Sequence, residues 1–572
     1  MVGELQNCAE GVEGGLSNGH RVSWGEETRT LIDELLGEQR RLTAVERFSS
    51  QHERGAVSEQ TKLYRELLPA TPPGLGQQYA FSVDLDACSG CKACVAACHS
   101  LNGLDEEETW RSVGLLHGGE EGGAFQQTIT TACHHCIDPA CLNGCPVLAY
   151  EKDPQTGIVR HLDDQCIGCQ YCVLKCPYDV PKYSAKRGIV RKCDMCSSRL
   201  AVGEAPACAQ ACPNGAIQIT LVDTTQVASE SARGSFLPGS PDPGYTVPTT
   251  RYMSRRGLPS NLVPADQHQL KPSHAHPPLV VMLVLTQLSV GAFCVESLLR
   301  ILFPANLMTQ ISGLHAFVAF ALGLLALGAS TLHLGRPLYA WRAVLGLKTS
   351  WLSREIVAFG AFSGLATLQA AGSWLPKVHA FTSLGMSAAV SATGLVGVFC
   401  SLMLYHDTRR PFWRGLNVGL KFFGTAALLG IATILFVTTL QALLYPSIAS
   451  NGAYRELTFV LSGALVSVGV FKLGVEASIF LHTGGEADVS LRRTALLLKG
   501  ELAERTSVRF LLGFIGTAVL PLVFLVQKPA AGYATLGITI WIVAFALAGE
   551  LLERYLFFVA VAPAKMPGGI GA

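Results

Sequence analysis

Charge is scarce in this chain and almost evenly split. Only 15% of the 572 residues are Asp, Glu, Lys or Arg, and 44 basic against 43 acidic side chains leave a net charge of +1. No basic patch is interleaved with aromatics, which sets a nucleic-acid partner aside. The cysteine-bearing region has no nucleotide-binding loop and no nucleophile with its base, so nothing there reads as a catalytic pocket. The first 30 residues lack both an apolar signal core and a twin arginine, which predicts an N-terminal region that stays in the cytoplasm.

Cysteine, by contrast, is plentiful and patterned. The run "CIGCQYCVLKCP" spaces Cys166, Cys169, Cys172 and Cys176 as Cys-x2-Cys-x2-Cys-x3-Cys-Pro, the bacterial ferredoxin arrangement in which the fourth cysteine serves the neighbouring cluster. Zinc knuckles usually separate two Cys-x2-Cys pairs by a dozen or more residues, and disulfides suit small secreted chains. Neither fits as well as an iron–sulfur core. Three further runs supply Cys88, Cys91, Cys94 and Cys98; Cys133, Cys136, Cys141 and Cys145; and Cys193, Cys196, Cys208 and Cys212. Sixteen of 19 cysteines are thus grouped in fours, enough for four [4Fe–4S] clusters, while Cys8, Cys294 and Cys400 stand apart. His99 follows Cys98 where a proline follows the last cysteine of the other runs.

The chain divides into unlike halves. Residues 1–77 form an N-terminal extension whose segment "TRTLIDELLGEQRRLTAVERF" suits an amphipathic, partner-docking helix. Residues 78–221 hold the cysteine runs, and 222–275 are rich in Pro, Ser and Gly, reading as an extended linker or a segment packed along the domain. From 276 to 562, eight apolar runs are long enough to span a bilayer, which takes about 20 helical residues. They lie at approximately 278–300, 311–332, 353–375, 380–404, 418–444, 456–481, 507–527 and 533–560, with "WLPKVHA" closing a tight hairpin between the third and fourth. The fold class expected is an α+β ferredoxin-like polycluster domain followed by an all-α polytopic membrane bundle of about eight helices. Loops after the second, fourth and sixth runs carry 13 lysines and arginines against 4 on the opposite side. The positive-inside bias then puts the cysteine domain in the cytoplasm, against a bacterial-type inner membrane.

The runs "CHHCIDPACLNGCPVLAY" and "KCDMCSSRLAVGEAPACAQACPNGAI" resemble the iron–sulfur subunit of dimethyl sulfoxide reductase-type molybdopterin oxidoreductases. The segments "LHLGRPLYAWRA", "SWLSREI" and "GELLERYLFF" resemble the anchor subunit of the same enzymes. The chain therefore looks like both subunits fused, electron wire first and anchor second. The resemblance implies that Cys88, Cys91, Cys94 and Cys212 hold one cluster, and Cys98, Cys193, Cys196 and Cys208 another. Cys133, Cys136, Cys141 and Cys176 would hold a third, and Cys145, Cys166, Cys169 and Cys172 the last.

Ionisable groups at the ends of membrane spans are costly and mark functional candidates. His333 and Arg336 lie where the second span ends and Glu355 where the third begins, on the side of the cysteine domain; the resemblance associates these positions with quinol oxidation. Arg336 could instead only anchor its helix among headgroups, and His333 and Glu355 could be a structural pair. His406, Glu476, His482, Glu550 and Glu553 end spans on the same side and rank lower, as packing groups. The expected function is quinol oxidation at the membrane, with electrons relayed through four clusters to a separate molybdopterin catalytic subunit whose acceptor is of the dimethyl sulfoxide or nitrate type. The alternatives are the same wire run from a dehydrogenase into quinone, and a cluster-bearing redox sensor.

Overall fold

The computed structural model describes residues 66–119, 124–374, 383–449, 452–484, 489–563 and Met566, with a few positions of 30–37. The amphipathic N-terminal segment, the hairpin closure after Trp374 and Cys8 lie largely or wholly outside them. Residues 64–572 form one structural unit.

The cysteine domain is a frame of short strands from which the cysteine loops hang. Strand β1 (Gln77–Asp84) pairs antiparallel with the strand that ends the cysteine region, Ile217–Asp223, in the register Phe81↔Ile219 and Val83↔Ile217. A second antiparallel pair joins β2 (Ser112–Gly118) to β3 (Phe125–Thr131). Two hairpins follow, β4 (Tyr150–Lys152) with β5 (Val159–His161), and β6 (Lys182–Ser184) with β7 (Ile189–Arg191). The Ile217–Asp223 strand is β8. Residues 222–275 do not hang free: β9 (Arg251–Met253) runs parallel to β1, and β10 (Val263–Pro264) extends the β2–β3 sheet. Phe81, Val83, Leu116, Ile129, Ile217 and Ile219 fill the core between the sheets and the thiols.

The cysteine runs turn into short helices for a local reason. In all four, the residue before the second cysteine has positive φ: Gly90 (74°), His135 (41°), Gly168 (70°) and Met195 (60°). That left-handed kink turns its own N–H back on the first sulfur, at 3.5 Å for His135 to Cys133, 3.4 Å for Gly168 to Cys166 and 3.4 Å for Met195 to Cys193. Helix α1 (Ala93–Leu101) carries Cys94 and Cys98 of the first run, and α2 (Tyr171–Lys175) carries Cys172 of the third. Pro177 after Cys176 lies just past the shorter helix; with His99 in place of a proline, α1 runs on through Cys98 for nine residues.

Eight long helical passages make the membrane half: α3 (Pro277–Leu302), α4 (Ala305–Thr331), α5 (Trp351–Gly372), α6 (Leu384–His406), α7 (Leu416–Leu444), α8 (Gly452–Ala477), α9 (Ala503–Phe514) continued to Gln527 through a π-helical turn at Ile515–Val519, and α10 (Tyr533–Val559). Seven of these are long and apolar enough to cross a membrane; the exception is α5. Its 22 residues include Ser353, Arg354, Glu355, Ser363 and Gln369, and Ser353, Glu355 and Gln369 are turned into the bundle. The helix that falls short on hydropathy thus carries Arg354 and the buried Glu355 within its first turns.

Candidate redox centres and the membrane-facing site

The folded loops bring the sixteen thiols together in four groups. Cys88, Cys91, Cys94 and Cys212 line one cavity, the first set, and Cys133, Cys136, Cys141 and Cys176 another, the third set. In the second set, the Cys98 thiol faces Cys208 and Cys196, and Cys193 faces Cys98 and Cys208. In the fourth, Cys169 faces Cys145 and Cys166, with Cys172 completing the group. In each set, three thiols come from one run and the remaining one from another.

The donor sets fit iron–sulfur cores on three physical grounds. The described cysteines are all free, so none of these thiols is spent in a disulfide. Burial, reinforced by the neighbouring Cys208, pushes the Cys98 thiol up to about 12, and burial takes Cys145 and Cys176 to about 11. Binding a positive metal core is what removes the proton from such a thiol. Finally, two side chains between the sets, Lys192 and Arg111, are 3% and 2% exposed and cationic, with no carboxylate partner among the described ion pairs. A protein core accepts an unpaired cation only beside something anionic, such as a thiolate-bound cluster.

The fourth set is the one pressed against the membrane half. Its Cys145, Cys166 and Cys172 pack with Ala343 and Leu334 from the segment after α4. Gly346 N–H donates to the Pro146 carbonyl at 2.7 Å, and the Ser350 hydroxyl to the Gly144 carbonyl at 2.7 Å. From α2, the Tyr171 hydroxyl donates to the Leu404 carbonyl at the end of α6, at 2.9 Å.

All three quinol-site candidates stand at this junction, in different ways. The His333 ring lies within hydrogen-bonding reach of the Cys169 backbone, and burial holds its pKa below the ordinary histidine value. Its ring centroid is 5.3 Å from that of His276, which is 4.6 Å from that of His274. Glu355 is 2% exposed and accepts a hydrogen bond from the Ser401 hydroxyl. Arg336 instead grips the cysteine domain: its N–H donates to the Ile167 carbonyl at 3.0 Å and its guanidinium to the Asp163 carbonyl at 2.9 Å. His333 and Glu355 share no hydrogen bond or ion pair among the described contacts. Sequence reasoning passed over Tyr171, Ser401 and the His274–His276 pair; the last was visible as "KPSHAHPP" immediately ahead of the first span.

The lower-ranked groups sort by packing. Glu476 and Glu550 join Lys472 and Arg509 in a buried network, with contacts of 2.5 and 2.8 Å to Glu476 and 2.9 and 2.8 Å to Glu550, tying α8, α9 and α10 together. Glu553 sits 4.0 Å from Lys421 and 3.5 Å from Arg554 at the edge of that network. His406 accepts the Gly415 N–H at 3.2 Å, and His482 lies in the turn after α8.

Stacked thiol sets docked on a polytopic bundle define a membrane-anchored iron–sulfur electron-transfer protein. Residues 125–222 match a family described as the 4Fe-4S dicluster domain, and residues 272–559 match the DMSO reductase anchor subunit family. The chain belongs to that anchor family, with an iron–sulfur subunit fused ahead of it. It is 40% identical over 154 residues to the probable anaerobic dimethyl sulfoxide reductase subunit YnfG of Escherichia coli K12, covering 26% of this chain and 75% of that one. The B subunit of the anaerobic dimethyl sulfoxide reductase of Haemophilus influenzae is 38% identical over 156 residues, 26% of this chain and 76% of its own. The iron–sulfur subunit of the nitrate-inducible formate dehydrogenase of Escherichia coli K12 is 34% identical over 191 residues, 29% and 65% of the two chains.

Proposed function

We propose that this chain oxidises a membrane quinol beside His333 and Glu355 and passes the electrons through four [4Fe–4S] clusters to a separate molybdopterin catalytic subunit. The observation that carries this reading is the direct seating of the fourth thiol set on the membrane half, with Gly346 and Ser350 hydrogen-bonded to the Pro146 and Gly144 carbonyls. Bound clusters would supply one-electron carriage. The four sets would be held by the sixteen cysteines as grouped above.

The protein's own groups manage the protons. A quinol gives up two electrons and two protons, and those protons need acceptors where the electrons depart. Glu355, buried and with a single hydroxyl donor described on it, can take one; the His333 imidazole can take another, with His276 and the exposed His274 leading outward. Arg336 keeps the junction closed. The lysine- and arginine-rich loops support a cytoplasmic position for this face and for the cluster domain with it. A cytoplasmic catalytic subunit then reduces an acceptor of the dimethyl sulfoxide or nitrate type.

The similarity to a formate dehydrogenase subunit favours one second reading, the same wire delivering electrons from a dehydrogenase into quinone. Adding a reduced quinol to membranes containing the chain and its partner, and following cluster signals by electron paramagnetic resonance, decides between them. Rapid reduction of the clusters by quinol is expected. Clusters that quinol leaves oxidised but formate or hydrogen reduces would favour the reverse direction.

Cys169→Ser is a narrower test of the ligand assignment. Membrane insertion is expected to be unchanged, while one cluster is lost or altered and quinol no longer reduces the other three. An unaltered spectrum would remove Cys169 from the ligand set.

A further inference from the structure

We propose that Lys192 and Arg111 set the potentials along the wire, making the interior clusters better electron acceptors than the membrane-facing one. This rests on the cluster reading above and adds to it a direction built into the protein.

Lys192 follows β7 and directly precedes Cys193. Its ammonium donates to the Val159 carbonyl and, at 2.7 Å, to the Cys193 carbonyl, and lies 3.6 Å from the Cys133 sulfur. Cys133 belongs to the third set and Cys193 to the second, so one buried charge bridges two sets. Asp194, next in the chain to Cys193, spends its oxygens on the Cys196 N–H at 3.0 Å and the Ser197 hydroxyl at 3.1 Å. Arg111 stands just ahead of β2 with its guanidinium 4.7 Å from the Phe81 ring centroid. It donates to the Thr130 hydroxyl at 3.2 Å, which in turn lies 3.5 Å from the Cys94 sulfur, while its Nε and one Nη have no hydrogen-bond partner among the described residues. The thiols it acts on are Cys94, Cys98, Cys193 and Cys208, of the first and second sets.

Neighbouring charges are treated differently. Arg191, adjacent to Lys192, is paired with Glu108 at 2.9 Å, and Lys175 with Asp407 at 2.5 Å. The domain neutralises buried cations elsewhere and leaves these two for the thiol sets. Lys152, held by the Cys136 and Ile137 carbonyls at 3.1 and 2.9 Å, adds charge of the same sign to the third set. In the fourth set, the Cys145 and Cys166 sulfurs accept backbone N–H groups of Ala149 and Gly168, at 3.2 and 3.4 Å. Among the described residues no lysine or arginine side chain hydrogen-bonds to a thiol there; its charged neighbour is His161, paired with Asp163 at 2.8 Å.

Reduction adds one electron to a core already made anionic by its thiolates. A fixed cation a few ångströms away in a low-dielectric interior stabilises the reduced form more than the oxidised one, and so raises the potential. The second and third clusters, which share Lys192, gain most, and electrons arriving at the fourth cluster fall inward.

The test is a redox titration of the full chain in membranes, followed by electron paramagnetic resonance, in wild type, Lys192→Met and Lys192→Arg. Lys192→Met is expected to lower the midpoint potentials of two clusters and leave the membrane-facing cluster in place, with Lys192→Arg restoring them. Unmoved potentials in a Lys192→Met protein with full cluster content, or an equal shift in all four, would overturn the inference. Should Lys192→Met fail to assemble, Arg111→Met carries the same test on the first and second clusters. A wild-type chain without [4Fe–4S] signals would defeat the cluster reading instead, which separates the two failures.

Discussion

Gly335→Leu is expected to disconnect the membrane half from the thiol sets while leaving each half folded. A Cβ at this position would stand 2.1 Å from the Gly188 carbonyl oxygen and 2.6 Å from its carbon. Gly168, in the turn of the third cysteine run, is nested in the same contact: its own Cβ would meet the Gly188 oxygen at 2.3 Å and the Gly335 backbone at 2.9 Å. Three glycines from three segments thus let backbone touch backbone, and no flexible side chain is there to give way. Overpacking such a contact costs about 1–3 kcal/mol. At about 1.4 kcal/mol per factor of ten, the ratio of closed to open junction would fall about five- to 150-fold. Electron transfer weakens steeply with separation, so cluster reduction by quinol should slow, by up to that factor where the open form comes to dominate. Reduction by dithionite, which reaches the domain from water, should be unchanged. Equal rates with quinol in variant and wild type would show that this junction is not the electron's path.

The second large effect concerns the proton acceptors. His333→Ala and Glu355→Gln are each expected to leave all clusters assembled and chemically reducible, yet to suppress reduction by quinol. Loss of a positioned proton acceptor typically costs about 10²–10⁴ in rate. Glutamine keeps the size of Glu355 and its contact with Ser401 but has no proton-accepting carboxylate, which separates chemistry from packing. Arg336→Ala provides the contrast. Its side chain ends on the Asp163 carbonyl, so its removal should loosen docking and slow reduction mildly without abolishing it. Normal quinol-driven reduction in His333→Ala would remove that residue from the mechanism. A complete block in Arg336→Ala would return Arg336 to the quinol site itself.

The two halves of the chain were legible to different degrees. Thiol spacing is a local property: a Cys-x2-Cys-x2-Cys loop can be recognised within twelve residues because its left-handed turn and short helix form within it. Membrane helices announce themselves through apolar length, and only α5, interrupted by Arg354 and Glu355, was weaker than its neighbours. The segment 222–275 was harder, because β9 and β10 are three and two residues long and exist only by pairing with β1 and β2. Strands so short carry no alternation of their own.

Side-chain direction was the least legible feature. His333 and Arg336 are three residues apart in one motif, yet the imidazole reaches toward Cys169 and the guanidinium toward Asp163. Nothing in "LHLGRPLYAWRA" separates them, since the segment's shape is imposed by what it docks against. Lys192 and Arg111 were equally silent, because a lysine beside a cysteine run reads as a solvated charge until burial and the missing carboxylate are seen.

What the sequence determined by itself was the redox chemistry and the membrane setting: cysteine pattern and hydropathy act over tens of residues or fewer and need no partner. Tertiary structure alone decided which thiol set packs against the membrane half, how the ionisable side chains at that junction are directed, and which buried cations have no carboxylate partner among the described residues. Those outcomes depend on contacts between segments far apart in the chain, such as Gly168 with Gly335 and Tyr171 with Leu404, and long-range contacts leave no local trace in the sequence.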